Sequence, residues 1–149
     1  MAYECHVGTK HDKTRLKAFY KHQHFSAGFK GLDTFYYIAD KHQIIGSMIY
    51  SQIEQSTTQI LLHAFVIDSQ FRKKHLASKL HAFAYQHVSQ LSHQPAKSLI
   101  CFAETSLTGF YQKLGYNSIN DNELCSTLLP RYQAYVKQNP NLLIFQRPV

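Results

Sequence analysis

Residues 97–104, KSLICFAE, form an almost wholly apolar run, the pattern of a central strand buried on both faces. Such a strand must be covered from both sides, which ties the rest of the chain to a layered fold. The helix before it is the best-defined element: Leu76, Leu80, Phe83, Ala84, His87 or Val88, and Leu91 recur at the helical period, and Pro95 punctuates the end. Before that helix, Gln59–Asp68 (QILLHAFVID) reads as a further strand. The middle of the chain is therefore strand–helix–strand.

The N-terminal half points to antiparallel pairing. Tyr3–Gly8 (YECHVG) suits a first strand, and DKTRLKAFYKHQHF suits a helix, with Leu16, Phe19, Tyr20 and Gln23 at helical spacing and Asp12 as its cap. SAGFKGLD is loop-like. TFYYIAD and IIGSMIYSQIEQ, joined by the short polar KHQ, read as a hairpin. After the buried strand come a short helix, SLTGFYQKLG, closed by Gly115, an extended piece at Tyr116–Ile119, a polar segment through LLPRYQAYVKQNP, and a last strand, NLLIFQR. The expected class is α+β, with mixed α/β order. At 149 residues the chain suits one domain, 1–149, with a real core.

No apolar run approaches a membrane span, and MAYECHVGTKHDK has no signal-peptide core. The expected location is cytoplasmic. Cys5, Cys101 and Cys125 lie far apart, without a CxxC, and read as free thiols. His22 and His24 are spaced for different faces of a helix, and no HExxH follows, so no metal site is expected. The net charge of +7 calls for an anionic partner: nucleic acid, a membrane surface or a phosphorylated small molecule.

Where that charge sits is informative. In DSQFRKKHLASKL, residues 68–80, the basic Arg72, Lys73, Lys74 and His75 crowd the entrance of a helix. Cations are unfavourable there, because the unpaired N–H groups of the first turn already carry partial positive charge. An anion bound at the entrance reverses the sign of that interaction. Strand before and helix after place such a site at a strand's carboxyl end, where α/β sheets bind ligands. Alternatively the cations form a solvated face beside a cap at Asp68 or Ser69.

The order VIDSQFRKKHLASKL, LICFAE, FYQKLGY resembles the GCN5-related N-acetyltransferase (GNAT) family. Its acetyl-CoA loop, Arg/Gln-x-x-Gly-x-Gly/Ala, corresponds to Arg72, Lys73, Lys74, His75, Leu76 and Ala77. Its aromatic pair followed by Gly-aromatic corresponds to Phe110-Tyr111 and Gly115-Tyr116. The hairpin YIADKHQIIGSMIY, with Gly46, is similar to the family's second and third strands. Two positions depart from the pattern: His75 stands for glycine, and Glu104 for a frequent asparagine.

The resemblance implies a single domain with a mostly antiparallel twisted sheet of about six or seven strands and about four helices, splayed between strands four and five. It implies acetyl transfer from acetyl-CoA, without a metal, to a primary amine of a small molecule or peptide in a direct-transfer ternary complex. Phe65, Val66 and Ile67 would pair with the pantetheine arm, and a backbone N–H there would polarise the thioester. The amides of Lys73, Lys74, His75, Leu76, Ala77 and Ser78 would hold the pyrophosphate, with charge from Arg72 and Lys74.

Tyr111 matches the proton donor to the leaving thiolate and contributes to the cofactor site; its other reading is a core aromatic beside Phe110 and Leu114. The base stays open between His63, whose imidazole titrates near neutrality, Glu104, and ordered water. The acceptor pocket would draw on Phe19, Tyr20, His22, Phe25, Tyr132 and Tyr135. An aromatic wall and only nine acidic residues suit a small or partly apolar amine over a polycation, with a protein N-terminus or lysine as further acceptors. Two other readings are a basic nucleic-acid-associated module and a catalytically silent acyl-CoA-binding domain. The fold also allows a homodimer.

Overall fold

The computed structural model of the chain describes residues 3–25, 33–53, 58–72, 75–91 and 98–149. Among them lie seven strands: β1 (Tyr3–Val7), β2 (Asp33–Asp40), β3 (Gln43–Gln52), β4 (Gln59–Ile67), β5 (Ser98–Glu104), β6 (Asn117–Ile119) and β7 (Leu142–Pro148). Four α-helices accompany them: α1 (Lys13–His22), α2 (Leu76–Leu91), α3 (Thr108–Lys113) and α4 (Leu128–Gln138). The strands hydrogen-bond in the order β1-β2-β3-β4-β5-β7-β6. The class is α+β with a mixed sheet, as expected. Two compact units divide the chain, residues 1–51 with 63–91 and residues 52–62 with 92–149, and β4 runs through both.

In the first unit β1, β2 and β3 are antiparallel neighbours, with Asp33 opposite Ser51 and Asp40 opposite Gln43. β2 is buried on both faces, as alternation along a strand requires when both sides are covered. Phe35, Tyr37 and Ala39 point to one side and join Leu16, Phe19 and Tyr20 of α1 in a core cluster. Tyr36 points to the other side, where its ring meets Phe83 and its hydroxyl lies 2.8 Å from His87 Nδ1 on α2. Gly46 is required by crowding: a Cβ there would lie 2.5 Å from Ile67 Cδ1 and 2.9 Å from Ile38 Cγ2. The helical stripe read in α2 holds at Leu76, Leu80 and Ala84, all buried. Burying one such leucine contributes about 2 kcal/mol. Pro95 lies outside the described residues.

In the second unit β4 pairs in parallel with β5 from Gln59↔Ser98 to Leu62↔Cys101. β7 inserts between β5 and β6, antiparallel to each. Ile53, Leu61, Ile100 and Ile144 pack with Leu124 and Leu128, and Leu129 and Tyr132 of α4 close over them.

Two expectations need correction. Asp12 stands at the N-cap position of α1 but makes no side-chain capping bond to it; its carboxylate accepts instead from Thr9 N–H at 2.8 Å, in the turn before the helix. The polar segment LLPRYQAYVKQNP is largely helical, as α4. Pro130 sits in its first turn, where backbone N–H groups have no intrahelical partner, so the proline removes no bond.

Candidate active site

β4 changes character halfway. Gln59, Ile60, Leu61 and Leu62 are buried, whereas Phe65, Val66 and Ile67 are only half-buried. The register with β5 runs from Gln59 to Leu62. Two residues further on, Ala64 lies in the left-handed region, at φ 53°. A residue with a Cβ pays roughly 1–2 kcal/mol for that conformation, so something must hold it. Tyr20 does so, donating its hydroxyl to the Ala64 carbonyl at 2.8 Å in a buried position. Burial raises the Tyr20 pKa well above the ordinary phenol range, with a hydrogen bond to Ser47 acting the other way, so the group remains a donor.

Past the kink, Ile67 leads to Asp68, whose carboxylate accepts from Gln70 N–H at 2.9 Å and caps the short turn Ser69–Phe71. Asp68 thus caps that turn and not α2. The exposed Arg72 folds back and donates Nε–H to the Ile67 carbonyl at 3.3 Å. Lys73 and Lys74 lie outside the described residues. His75 precedes α2 at φ 58°, the left-handed conformation that glycine adopts at least cost. The glycine preference at this position therefore has a backbone reason that His75 violates. The side chain of Leu76 is buried, Ala77 is half-buried and Ser78 exposed. The first turn carries no acid, and its N–H groups have no intrahelical acceptor.

His63, one residue before the kink, belongs to a cluster that its isolated place in the sequence did not reveal. Ser51 Oγ lies 2.6 Å from His63 Nε2 and 2.6 Å from Asp33 Oδ1. Asp33 and Ser51 are cross-strand partners, which the sequence places 18 residues apart.

In the second unit Tyr111, on α3, is buried. Its ring stacks on Phe145 at 5.2 Å and meets Phe110 and Tyr116 edge-on. Its hydroxyl is hydrogen-bonded with the Cys101 thiol. Burial, with the thiol adding to it, raises the Tyr111 pKa well above the usual phenol range. Burial likewise pushes Cys101 up to about 12. Both groups stay protonated near neutrality. Glu104, at the exposed end of β5, accepts from Asn139 Nδ2 at 3.0 Å.

The aromatic residues expected around an acceptor separate into two kinds. Phe19 and Tyr20 are core residues of the first unit, while His22 and Phe25 are exposed at the end of α1. In the second unit the half-buried Tyr132 donates its hydroxyl to the Leu142 carbonyl at 3.0 Å, and its ring lies beside Phe102. The exposed Tyr135 carries Arg131 over its ring. No group of three or more potential metal ligands occurs among the described residues, nor is any described helix long and apolar enough to cross a membrane.

A strand broken by a left-handed residue, a cation folded back on its end and an acid-free helix start form one continuous piece of chain. Residues 6–129 match the family model of the acetyltransferase (GNAT) domain. The chain belongs to the GNAT family. No curated protein matches the sequence. Among solved structures, N-acetylglutamate synthase from Neisseria gonorrhoeae, complexed with coenzyme A and N-acetyl-glutamate, superposes with a TM-score of 0.72 at 11% identity. That similarity covers 99% of this chain but 35% of the Neisseria chain, so this GNAT chain spans about a third of that protein's length. A GNAT acetyltransferase from Staphylococcus aureus matches at TM-score 0.66 and 12% identity, over 99% of both chains. An acyl-CoA N-acyltransferase from Pseudomonas aeruginosa matches at 0.65 and 14%, over 98% of both. At these identities the structures share the fold.

His75 offers a direct test of the GNAT loop. His75→Gly removes a left-handed penalty of about 1 kcal/mol and adds a similar cost in unfolded-chain entropy. Stability should therefore change little in a denaturant titration. Affinity for acetyl-CoA should rise about threefold by calorimetry as the side chain clears the amides. Weaker binding in the variant would instead mean that the imidazole donates to the phosphate.

Proposed function

We propose that this GNAT chain, as one domain over 1–149, transfers an acetyl group from acetyl-CoA to a primary amine of a small molecule or peptide, within a ternary complex. The observation that supports the reading is the left-handed Ala64 within β4, its carbonyl bound by the Tyr20 hydroxyl, two residues after the last register pair with β5 at Leu62.

In this mechanism Phe65, Val66 and Ile67 supply backbone groups to the pantetheine arm and to the thioester oxygen, where a fixed N–H stabilises developing negative charge. The amides of the loop and first turn of α2, Lys73 to Ser78, hold the pyrophosphate, and Arg72 and Lys74 add charge. The amine gives up a proton to a base, its nitrogen bonds to the carbonyl carbon, and the carbon–sulfur bond breaks. Tyr111 then protonates the departing thiolate. Its hydroxyl rests on a thiol, a weak hydrogen-bond partner, so little is lost in giving that contact up. His63 is the preferred base, because it sits in a polar cluster at the kink, whereas Glu104 is exposed and engaged by Asn139. His22, Phe25 and Tyr132 are the accessible members of the acceptor set, and Phe19 and Tyr20 support them from the core.

Calorimetric titration with acetyl-CoA, dephospho-CoA and a short oligonucleotide tests the reading. Acetyl-CoA should bind, and Arg72→Ala should weaken it about tenfold, the usual worth of one charge-assisted contact. Salt-sensitive oligonucleotide uptake without acetyl-CoA binding would favour a nucleic-acid module. Acetyl-CoA binding without transfer to any amine in a screen would mark a silent binding domain.

A further inference from the structure

α1 ends in a fixed geometry. Past its last residue, Gln23 N–H bonds the Phe19 carbonyl at 3.1 Å, His24 N–H the Lys21 carbonyl at 3.0 Å and Phe25 N–H the Tyr20 carbonyl at 2.8 Å. His24 allows this by entering the left-handed region, at φ 59°. The backward bonds from His24 and Phe25 are those of a Schellman closure, and the ring contact that accompanies such a closure is present too, Phe25 lying 5.7 Å from Tyr20. The closure sets where Gln23 stands.

Gln23 follows Tyr20 by three residues, so the two lie on one face of the helix end. Their side chains reach the same length of chain. Tyr20 donates its hydroxyl to the Ala64 carbonyl at 2.8 Å, and Gln23 Oε1 accepts the Ser69 N–H at 3.3 Å. Phe65, Val66 and Ile67, the stretch proposed to meet the pantetheine arm, lie between these two attachments, and Arg72 follows the second. Ser69 opens the short turn Ser69–Phe71, and a first-turn amide has no partner within its own turn. All of these residues belong to the first unit.

We propose that Gln23 is a positioning residue for the acyl donor: through the Ser69 amide it holds the chain just past β4, as Tyr20 holds it at Ala64, so that the backbone of Phe65, Val66 and Ile67 keeps the course acetyl-CoA meets. The inference rests on acetyl-CoA binding along β4 in the proposed function. A segment already held in place need not be ordered by its ligand, so losing one attachment lowers the binding-competent fraction and the affinity with it.

Two substitutions remove the contact from opposite sides. Gln23→Ala deletes the acceptor. Ser69→Pro deletes the donor at a position suited to proline: Ser69 is the first residue of its turn, and Asp68 before it, at φ −50° and ψ 131°, is outside the helical region. Asp68 keeps its bond to Gln70 N–H, and neither substituted residue belongs to a core cluster. Calorimetric titration with acetyl-CoA should show about threefold weaker binding in each variant, within the usual worth of one neutral hydrogen bond. The double variant should lose no more, since both substitutions delete one contact. In nitrogen-15 amide spectra of the free protein, the Ser69 proton should move upfield in Gln23→Ala. With a panel of primary amines, the KM for acetyl-CoA should rise in step with the affinity loss while kcat stays near wild type. An unmoved Ser69 resonance overturns the contact. Unchanged affinity in the variants, or losses that add in the double variant, overturns the positioning while leaving the donor reading intact. A wild type that binds no acetyl-CoA overturns that reading itself, and this role with it.

Discussion

Tyr111→Phe is expected to lower kcat about a hundred- to a thousandfold, the range in which a single acid acts, with the KM for acetyl-CoA nearly unchanged. The substitution is clean because the ring has its own reasons to stay. It stacks on Phe145 and is boxed in by Phe110 and Tyr116, contacts that phenylalanine keeps. Only the hydroxyl goes, and its partner is the Cys101 thiol, which tolerates the loss better than a carbonyl would. Unfolding free energy should fall by about 1 kcal/mol, a drop of about 2–4 °C in Tm for a chain of this size. Cys101→Ala is the control. It removes the same hydrogen bond but leaves the phenol, so its stability should resemble that of Tyr111→Phe while its kcat stays near wild type. If both variants lost turnover equally, the tyrosine would matter through packing, and the assignment of the acid would fall.

Much of the scaffold was legible because it depends on local period. The apolar run of β5, the stripe of α2 and the hairpin of β2 and β3 each bury a face that the sequence announces. The basic residues at the helix entrance were legible for a related reason, since they sit where a helix dipole disfavours them. What escaped depends on register or on tertiary override. α4 was hidden by Pro130, harmless only because it falls in a first turn. The Asp33–Ser51–His63 cluster needs the exact pairing of β2 with β3 and the position of β4 beside them, which no local pattern encodes. Tyr20 is assigned to the acceptor pocket through the family resemblance, which places that pocket at the first helix and the loop after it. Its role is set by a carbonyl 44 residues away.

Ala64 is the least legible of all, and its replacement should have the largest effect on the fold. QILLHAFVID contains no glycine or proline to mark a break, yet Ala64 adopts φ 53° inside the strand. Ala64→Val should destabilise the chain by about 3–5 kcal/mol. Roughly 2 kcal/mol comes from a β-branched side chain in the left-handed region. Another 1–3 kcal/mol comes from forcing added volume into a buried site. Ala64→Gly accepts the same φ without strain, so it should stay within about 1 kcal/mol of wild type. The pair separates backbone geometry from side-chain chemistry, because neither residue brings a functional group. If the kink positions the donor, Ala64→Gly should bind acetyl-CoA as wild type does, while any folded Ala64→Val should bind it more weakly. Equal affinity in folded samples of both variants would mean that the break in β4 is not what shapes the site. Tyr20→Phe then checks the cause from the opposite side: it leaves the Ala64 carbonyl without its buried donor, at a cost of about 1–3 kcal/mol, and should weaken acetyl-CoA binding in the same direction as the valine, without touching the strand itself.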